Sequence, residues 1–143
     1  MAPLDEHGRT RLAYPEAAQL GMALAVHART DPERLAIEDR HGSHTFGELN
    51  SRANQWVRAF RERGLKAGDG IALLCSNRVE FVEVYAAVLR GGFRLTAINW
   101  HLTAEEVGYI VADCEAKAFV VDVRFSDAAG GALKYVPDTT LGF

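Results

Sequence analysis

The sequence has no excess of basic residues over acidic ones. Its 16 lysines and arginines are outnumbered by 19 aspartates and glutamates. Nucleic-acid-binding domains instead carry a basic surface that neutralises phosphates, so we expect no nucleic-acid partner. Arg58, Arg61 and Arg63 gather in one helical segment, where a solvated helix face is a better interpretation than a nucleic-acid patch.

Cysteines and long apolar runs are also scarce. Cys75 and Cys114 are the only two cysteines and form no CxxC pair, which favours buried free thiols in a reducing compartment. The start, MAPLDEHGRT, carries charges where a secretory signal needs an apolar stretch. The nearby uncharged run AAQLGMALAVHA is shorter than the ~20 residues that cross a bilayer. We therefore expect a cytoplasmic protein without a transmembrane segment.

Several catalytic motifs are missing as well. The sequence contains no GxSxG, no GxGxxG and no GxxxxGK[ST]. The glycine-rich stretch GLKAGDG precedes an apolar strand pattern rather than a helix, so it predicts a turn instead of a phosphate loop. No spacing marks a catalytic triad, although triads are assembled in space and stay open on this evidence.

What is present predicts an α/β fold. An apolar content of 48% with alternating helix and strand patterns predicts layered helices on a largely parallel sheet, with a short N-terminal hairpin. Domain boundaries are expected at an irregular stretch 1–15, one domain over 16–123 and an irregular tail 124–143. Helices are predicted over 16–29, 45–64, 78–90 and 103–114, strands over 71–75, 93–98 and 117–122, and a hairpin over 35–46.

Helix starts carry clear signals. Thr45 with Glu48, and Thr103 with Glu106, have the spacing of capping boxes. Asn77 precedes Glu80 by three residues and is expected to cap the third helix. The same turn could hold an anion at Ser76–Arg78, but it has no glycine to let a phosphate approach, which favours a plain cap.

The helix over 78–90 is apolar on most of its circumference. Glu80, Glu83 and Arg90 form one narrow polar stripe, so the helix must be covered on more than one side. If the chain leaves part of it uncovered, the apolar surface could support self-association.

Histidine clusters do not indicate a metal site. His41 and His44 flank a turn where a metal could bridge them, but no nearby Cys or His completes a four-ligand set. A solvated hairpin turn is therefore the favoured interpretation, and the lone His101 is expected to be structural. The sequence yields no catalytic, cofactor-binding or metal-binding residue.

Three ordered segments resemble the N-terminal part of adenylate-forming enzymes, the superfamily of acyl-CoA synthetases, peptide-synthetase adenylation domains and luciferases. The resemblance covers about residues 17–123, and the third segment is most similar to fatty-acyl-CoA synthetases. Ile98 departs from the family pattern, which commonly has proline before the asparagine matching Asn99, and this affects the expected local turn. The segments are TFGELNSRANQWVRAF, GLKAGDGIALLCSNRVEFVEVYAAVLRGG and INWHLTAEEVGYIVADCEAK.

The resemblance implies a function that this chain does not carry alone. Enzymes of the family use ATP and Mg to adenylate a fatty acid or other carboxylate and then form a thioester with CoA. Their phosphate loop, magnesium-binding acid, ribose-binding Asp and catalytic Lys have no match here. We therefore expect an N-terminal fragment of a fatty-acyl-CoA synthetase, inactive alone. The alternatives are a stand-alone acyl-binding or interaction module, or a ligase for an aryl or amino acid.

Overall fold

A computed structural model describes residues 13–138 and 140–143. The expectation for residues 1–12 of the irregular N-terminus lies outside these described residues. The described N-terminal part contains two short helices, a hairpin and one long helix. These elements are α1 (Tyr14–Gln19), α2 (Ala23–Thr30), β1 (Leu35–Glu38) paired antiparallel with β2 (Ser43–Thr45), and α3 (Phe46–Glu62).

The remaining chain builds a four-stranded parallel sheet in the order β4-β3-β5-β6. This confirms the predicted α/β architecture with its parallel sheet and N-terminal hairpin. The elements are β3 (Gly70–Leu74), α4 (Val79–Gly91), β4 (Arg94–Ile98), α5 (Ala104–Asp113), β5 (Ala116–Val121), α6 (Ser126–Ala132) and β6 (Leu141–Gly142).

Helices cover both faces of the sheet, and the residues of β3 alternate between them. Ile71 and Leu73 pack with Phe60 of α3 and Val84 of α4 in one core. Ala72 and Leu74 point the other way, into a second core that contains Val107 and Val111 of α5 and Ala129 and Ala132 of α6. This double burial explains why β3 reads as an uninterrupted apolar run.

The single helix predicted over 16–29 is wrong. The chain breaks between α1 and α2 at Gly21, whose φ of +70° is one that residues with a side chain rarely adopt. A Cβ at Gly21 would also clash with the carbonyl oxygen of Leu89. The break therefore lets the chain pass close to the end of α4.

The irregularity predicted for 124–143 is also wrong, although the domain boundaries themselves stay a prediction. Two 3-10 turns flank α6, and β6 adds to the sheet through pairing of Leu141 with Ala118. Gly108 of α5 explains the docking of this segment. A Cβ there would lie 2.6 Å from the Cβ of Tyr135 and 2.9 Å from the carbonyl oxygen of Ala132. The buried residues of α6 itself are the small Ala129 and Ala132, so this helix shows no strong apolar periodicity in the sequence.

Two of the three predicted caps are confirmed. The side chains of Thr45 and Thr103 each accept a hydrogen bond from the backbone N–H three residues later. The carboxylates of Glu48 and Glu106 each accept one from the backbone N–H of the threonine. Gly92 ends α4 in a left-handed conformation, with φ of +70°. In the described part of the chain, no helix is long and apolar enough to cross a membrane.

Candidate functional site

In this topology, a ligand site is expected at the carboxyl ends of β3 and β5. The helix after β3 packs on one face of the sheet, and α6 after β5 packs on the other. The crossover through α4 leads from β3 to β4 on one face of the sheet. The crossover through α5 leads back from β4 to β5 on the other face, so the two crossovers have the same handedness. Adjacent strands whose connections diverge leave a crevice, where open parallel sheets bind ligands.

Charged side chains meet at this crevice. The N–H of Asp122 donates to the carbonyl of Leu74 at 2.9 Å, which holds the two strand ends together. Arg124 binds the Asp122 carboxylate through Nε at 3.1 Å and Nη2 at 2.6 Å, and Nη2 also donates to Oγ of Ser76. The hydrogen bond from the Arg124 side chain lowers the pKa of Asp122.

Arg78 divides the crevice into two cavities. Its guanidinium pairs with Glu80, with both nitrogen–oxygen distances at 3.0 Å. One side is a polar cavity of about 310 Å³, lined by Arg40, Trp100 and Arg124 among others. The other side is an apolar cavity of about 290 Å³, lined by Trp56, Val84 and Val120 among others.

The cap predicted at Asn77 is wrong. The cap position of α4 is Arg78, whose side chain makes no capping bond. Oδ2 of Asp39, in the hairpin turn, instead accepts a hydrogen bond from the N–H of Val79 at 2.9 Å. The helix start is therefore capped by an acceptor distant in sequence rather than by Asn77. A search for capping residues three positions apart could not identify Asp39.

Asp39 also closes its own turn. Its Oδ1 accepts from the N–H of His41 at 2.6 Å and of Gly42 at 2.9 Å. Hydrogen bonds from His41 and Val79 lower the pKa of the Asp39 carboxyl below its ordinary value of 3.8. A carboxylate thus stands where the start of α4 would otherwise attract an anion, so Ser76–Arg78 does not offer an open phosphate site.

Two residues of the polar stripe of α4, Glu83 and Arg90, face α3 rather than solvent. Glu83 is 5% exposed, and its carboxylate accepts from Nε1 of Trp56 at 3.1 Å. Nε2 of His44 lies 2.8 Å from the same carboxylate, and Nε of Arg52 lies 3.5 Å away. Arg90 bonds to Asn50 and Asn54 of α3.

The histidines are not brought together as a metal site. His44 pairs with Glu83, whereas His41 lines the polar cavity on the other side of the turn. The ring of His101 lies against Trp100, with centroids 3.5 Å apart. Among residues 13–138 and 140–143, no three His, Cys, Asp or Glu side chains are grouped so that they could hold a metal ion.

Neither cysteine has the environment of a nucleophile. Cys75 is buried at the end of β3, and loss of solvation raises the pKa of its thiol to about 11. It is therefore protonated near neutral pH, whereas a nucleophilic cysteine needs a lowered pKa. Cys114 is half-buried at the end of α5, with Sγ 3.5 Å from the carbonyl oxygen of Val111.

Comparison with known proteins decides the family. Residues 24–140 match the AMP-binding enzyme family, which is most of the chain. The chain belongs to the AMP-binding enzyme family. This result confirms the resemblance to adenylate-forming enzymes.

Curated relatives and solved structures agree with this membership. The 2-succinylbenzoate–CoA ligase of Geobacillus kaustophilus is 35% identical over 108 residues, covering 76% of this chain and 22% of that protein. The medium/long-chain-fatty-acid–CoA/3-oxocholest-4-en-26-oate–CoA ligase of Mycolicibacterium smegmatis is 29% identical over 116 residues, covering 80% and 21%. A Mycobacterium tuberculosis fatty acyl CoA synthetase superposes with a TM-score of 0.77 at 26% identity, covering 87% and 26%.

The chain spans about a fifth of the length of the curated relatives it matches. Within residues 13–138 and 140–143, the starts of α4 and α5 do not fit a nucleotide phosphate. At the carboxyl edge of the sheet, Asp39 already serves the start of α4 and Thr103 serves the start of α5. No glycine opens the turn before α4 either.

Proposed function

We propose that this chain is an N-terminal supporting part of an ATP-dependent acid–CoA ligase and that it performs no chemistry alone. The observation that carries the proposal is that the starts of α4 and α5, at the carboxyl edge of the sheet, are already capped by side chains of this chain. Asp39 and Thr103 satisfy donors there that a phosphate would need. In the whole ligase, ATP, Mg and CoA would bind to residues outside this chain.

The acid is proposed to be a fatty acid. The relative from M. smegmatis, which matches 80% of this chain, is named for medium- and long-chain fatty acids. An aryl carboxylate is the alternative, favoured by the 35% identity to the 2-succinylbenzoate ligase. The wide range of named substrates supports the idea that this segment serves many acids without selecting among them.

The first test measures turnover by the isolated chain. It is mixed with ATP, Mg²⁺, CoA and either a fatty acid or an aryl acid, and pyrophosphate and thioester are followed. The full-length M. smegmatis ligase serves as the positive control. We expect no product above the protein-free rate, and turnover by the pure chain would contradict the proposal.

A chimera tests the supporting role directly. Residues 24–140 replace the matching segment of the full-length M. smegmatis ligase, and acyl-CoA formation is measured over a series of acids. We expect activity with an unchanged acid preference, because the chain supplies scaffold and not the acid site. A preference shifted toward aryl acids would contradict the scaffold role, because the chain would then select the acid, and it would favour the aryl alternative. A second chimera carrying Glu83→Ala is the control, and it should lose folded, active protein.

A second candidate is a stand-alone interaction module, the origin of the predicted self-association. Tyr85 and Leu89 of α4 are 47% and 48% exposed, and they lie four residues apart on one helix face. β4, which follows α4, lies at one end of the strand order, so one of its edges is unpaired in the described sheet. Light scattering over a concentration series tests this candidate, with Tyr85→Lys and Leu89→Lys as variants. A monomer at every concentration would count against self-association.

A further inference from the structure

The apolar cavity lies beside the crevice on the α3 and α4 face of the sheet. Its floor is formed by β3 and β5 through Leu73 and Val120, and its walls include Trp56 of α3 and Val84 of α4. Phe143, after β6, closes one end, and Val123 lies at the rim with 80% of its surface exposed. Its lining is apolar at the base and charged only at the end nearest the strand termini.

The charged end of this cavity carries more acidic than basic side chains. Arg78, Glu80 and Asp122 line it, and Arg78 is paired with Glu80. Arg124 pairs with Asp122 from the polar cavity. A ligand that carries a carboxylate would have to lose solvation beside Glu80 and Asp122, which disfavours it.

Cys75 reports on the same environment. Its thiol lines the cavity, and burial is the main reason that its pKa is raised to about 11. Asp122 and Glu80 raise that pKa further. Loss of solvation at this position disfavours a charged group, which favours an uncharged occupant.

The size of the cavity limits the ligand. An apolar cavity of about 150 Å³ is enough to bind benzene. The cavity here, of about 290 Å³, has room for one ring with a short arm. The rings of Trp56 and Phe143 in its lining favour an aromatic occupant through edge and face contacts.

We propose that this cavity is a binding site for a small uncharged aromatic molecule. The proposal concerns binding by the chain itself and does not depend on the proposed ligase function. Failure of either one leaves the other standing, since one is tested by binding and the other by turnover.

The test uses the two tryptophans of the chain as separate reporters. Trp56 lines the apolar cavity, whereas Trp100 lines the polar one. Benzyl alcohol is titrated into Trp100→Phe and Trp56→Phe, and tryptophan emission is followed. We expect a saturable change for Trp100→Phe and none for Trp56→Phe. No saturable change in Trp100→Phe would overturn the proposal.

Benzoate provides the matched ligand, because it has the same ring and carries a negative charge. We expect it to bind about tenfold more weakly or not at all, since its carboxylate would be desolvated beside acidic groups. Equal binding of benzoate and benzyl alcohol would overturn the assignment to uncharged ligands.

Filling the cavity gives the last arm of the test. Val84→Phe should abolish binding of benzyl alcohol, with circular dichroism as the check on folding. Val123→Phe alters only the exposed rim and should weaken binding even if Val84→Phe does not fold. Leu133→Phe, at an exposed position outside the cavity, is the matched control and should change nothing. Undiminished binding in folded cavity variants would overturn the proposal. Bound benzyl alcohol should also slow the reaction of Cys75 with maleimide, measured in Cys114→Ser so that the other thiol does not react.

Discussion

Asp39 and Val79 are 40 residues apart, and Oδ2 of Asp39 accepts the backbone hydrogen bond of Val79 at 2.9 Å. The hairpin thereby supplies the cap of a helix that it does not adjoin in sequence. His44 adds a second link from the hairpin to the same helix, through Glu83. Together these contacts fix the start of α4, and with it the Arg78 side chain that separates the two cavities.

The first prediction compares the true cap with the apparent one. Asp39→Ala should lower Tm by about 3 °C, the usual consequence of losing an N-cap in a domain of this length. Asn77→Ala should leave Tm nearly unchanged, because Asn77 does not cap the helix. Thermal unfolding of both variants checks this, and a larger loss in Asn77→Ala would contradict the assignment of the cap to Asp39.

The second prediction concerns the stability of the protein at acidic pH. The folded state lowers the pKa of Asp39 below 3.8, so the unfolded chain takes up the proton at higher pH than the folded chain does. The stabilisation from this carboxylate is then complete above pH 3.8 and declines as the pH falls below it. Asp39→Asn carries no such charge. The difference in urea midpoint between the wild type and Asp39→Asn should shrink between pH 5 and about pH 3.

The sequence predicted those features that depend on neighbours along the chain. The capping boxes at Thr45 and Thr103 are local, and both are confirmed. The role of Asp39 could not be predicted because its partner lies 40 residues away. The sequence pattern places Glu83 on a polar stripe of its helix, but helical periodicity does not identify the element against which that stripe packs. The sequence predicted no reactive residue. The crevice depends on the strand order, which brings Asp122 and Ser76 together at the carboxyl ends of two strands.

The third prediction removes the buried carboxylate. Glu83→Ala should lower the free energy of unfolding by about 3 kcal/mol, because His44, Arg52 and Trp56 then lose their common partner. Glu80→Ala on the same helix is the matched control. Its side chain is 45% exposed, and we expect a loss of less than about 1 kcal/mol. Equal losses of unfolding free energy in the two variants, measured by urea unfolding, would mean that burial of Glu83 does not determine its contribution to stability.

The fourth prediction separates the two thiols. Cys75 is buried and its pKa is raised to about 11, so it should react slowly with iodoacetamide in the folded protein. Its rate should keep rising with pH through pH 9, where an ordinary thiol with a pKa near 8.5 would level off. Mass spectrometry of each site measures the rates in Cys114→Ser and Cys75→Ser. In urea the two rates should converge, and a plateau for folded Cys75 below pH 9 would refute the raised pKa.

The last prediction tests how the C-terminal segment docks. Gly108→Ala places a methyl group against Tyr135 and the carbonyl of Ala132, and both of these belong to the segment packed on α5. Backbone oxygen cannot easily withdraw, so we expect a loss of about 1–3 kcal/mol together with easier proteolysis after Asp122. Gly130→Ala is the matched control, since nothing lies within 4 Å of its added methyl group. Because alanine favours helix over glycine, Gly130→Ala should raise stability by up to about 1 kcal/mol. Proteolysis rates unchanged in Gly108→Ala would mean that α6 is held by contacts other than this close approach.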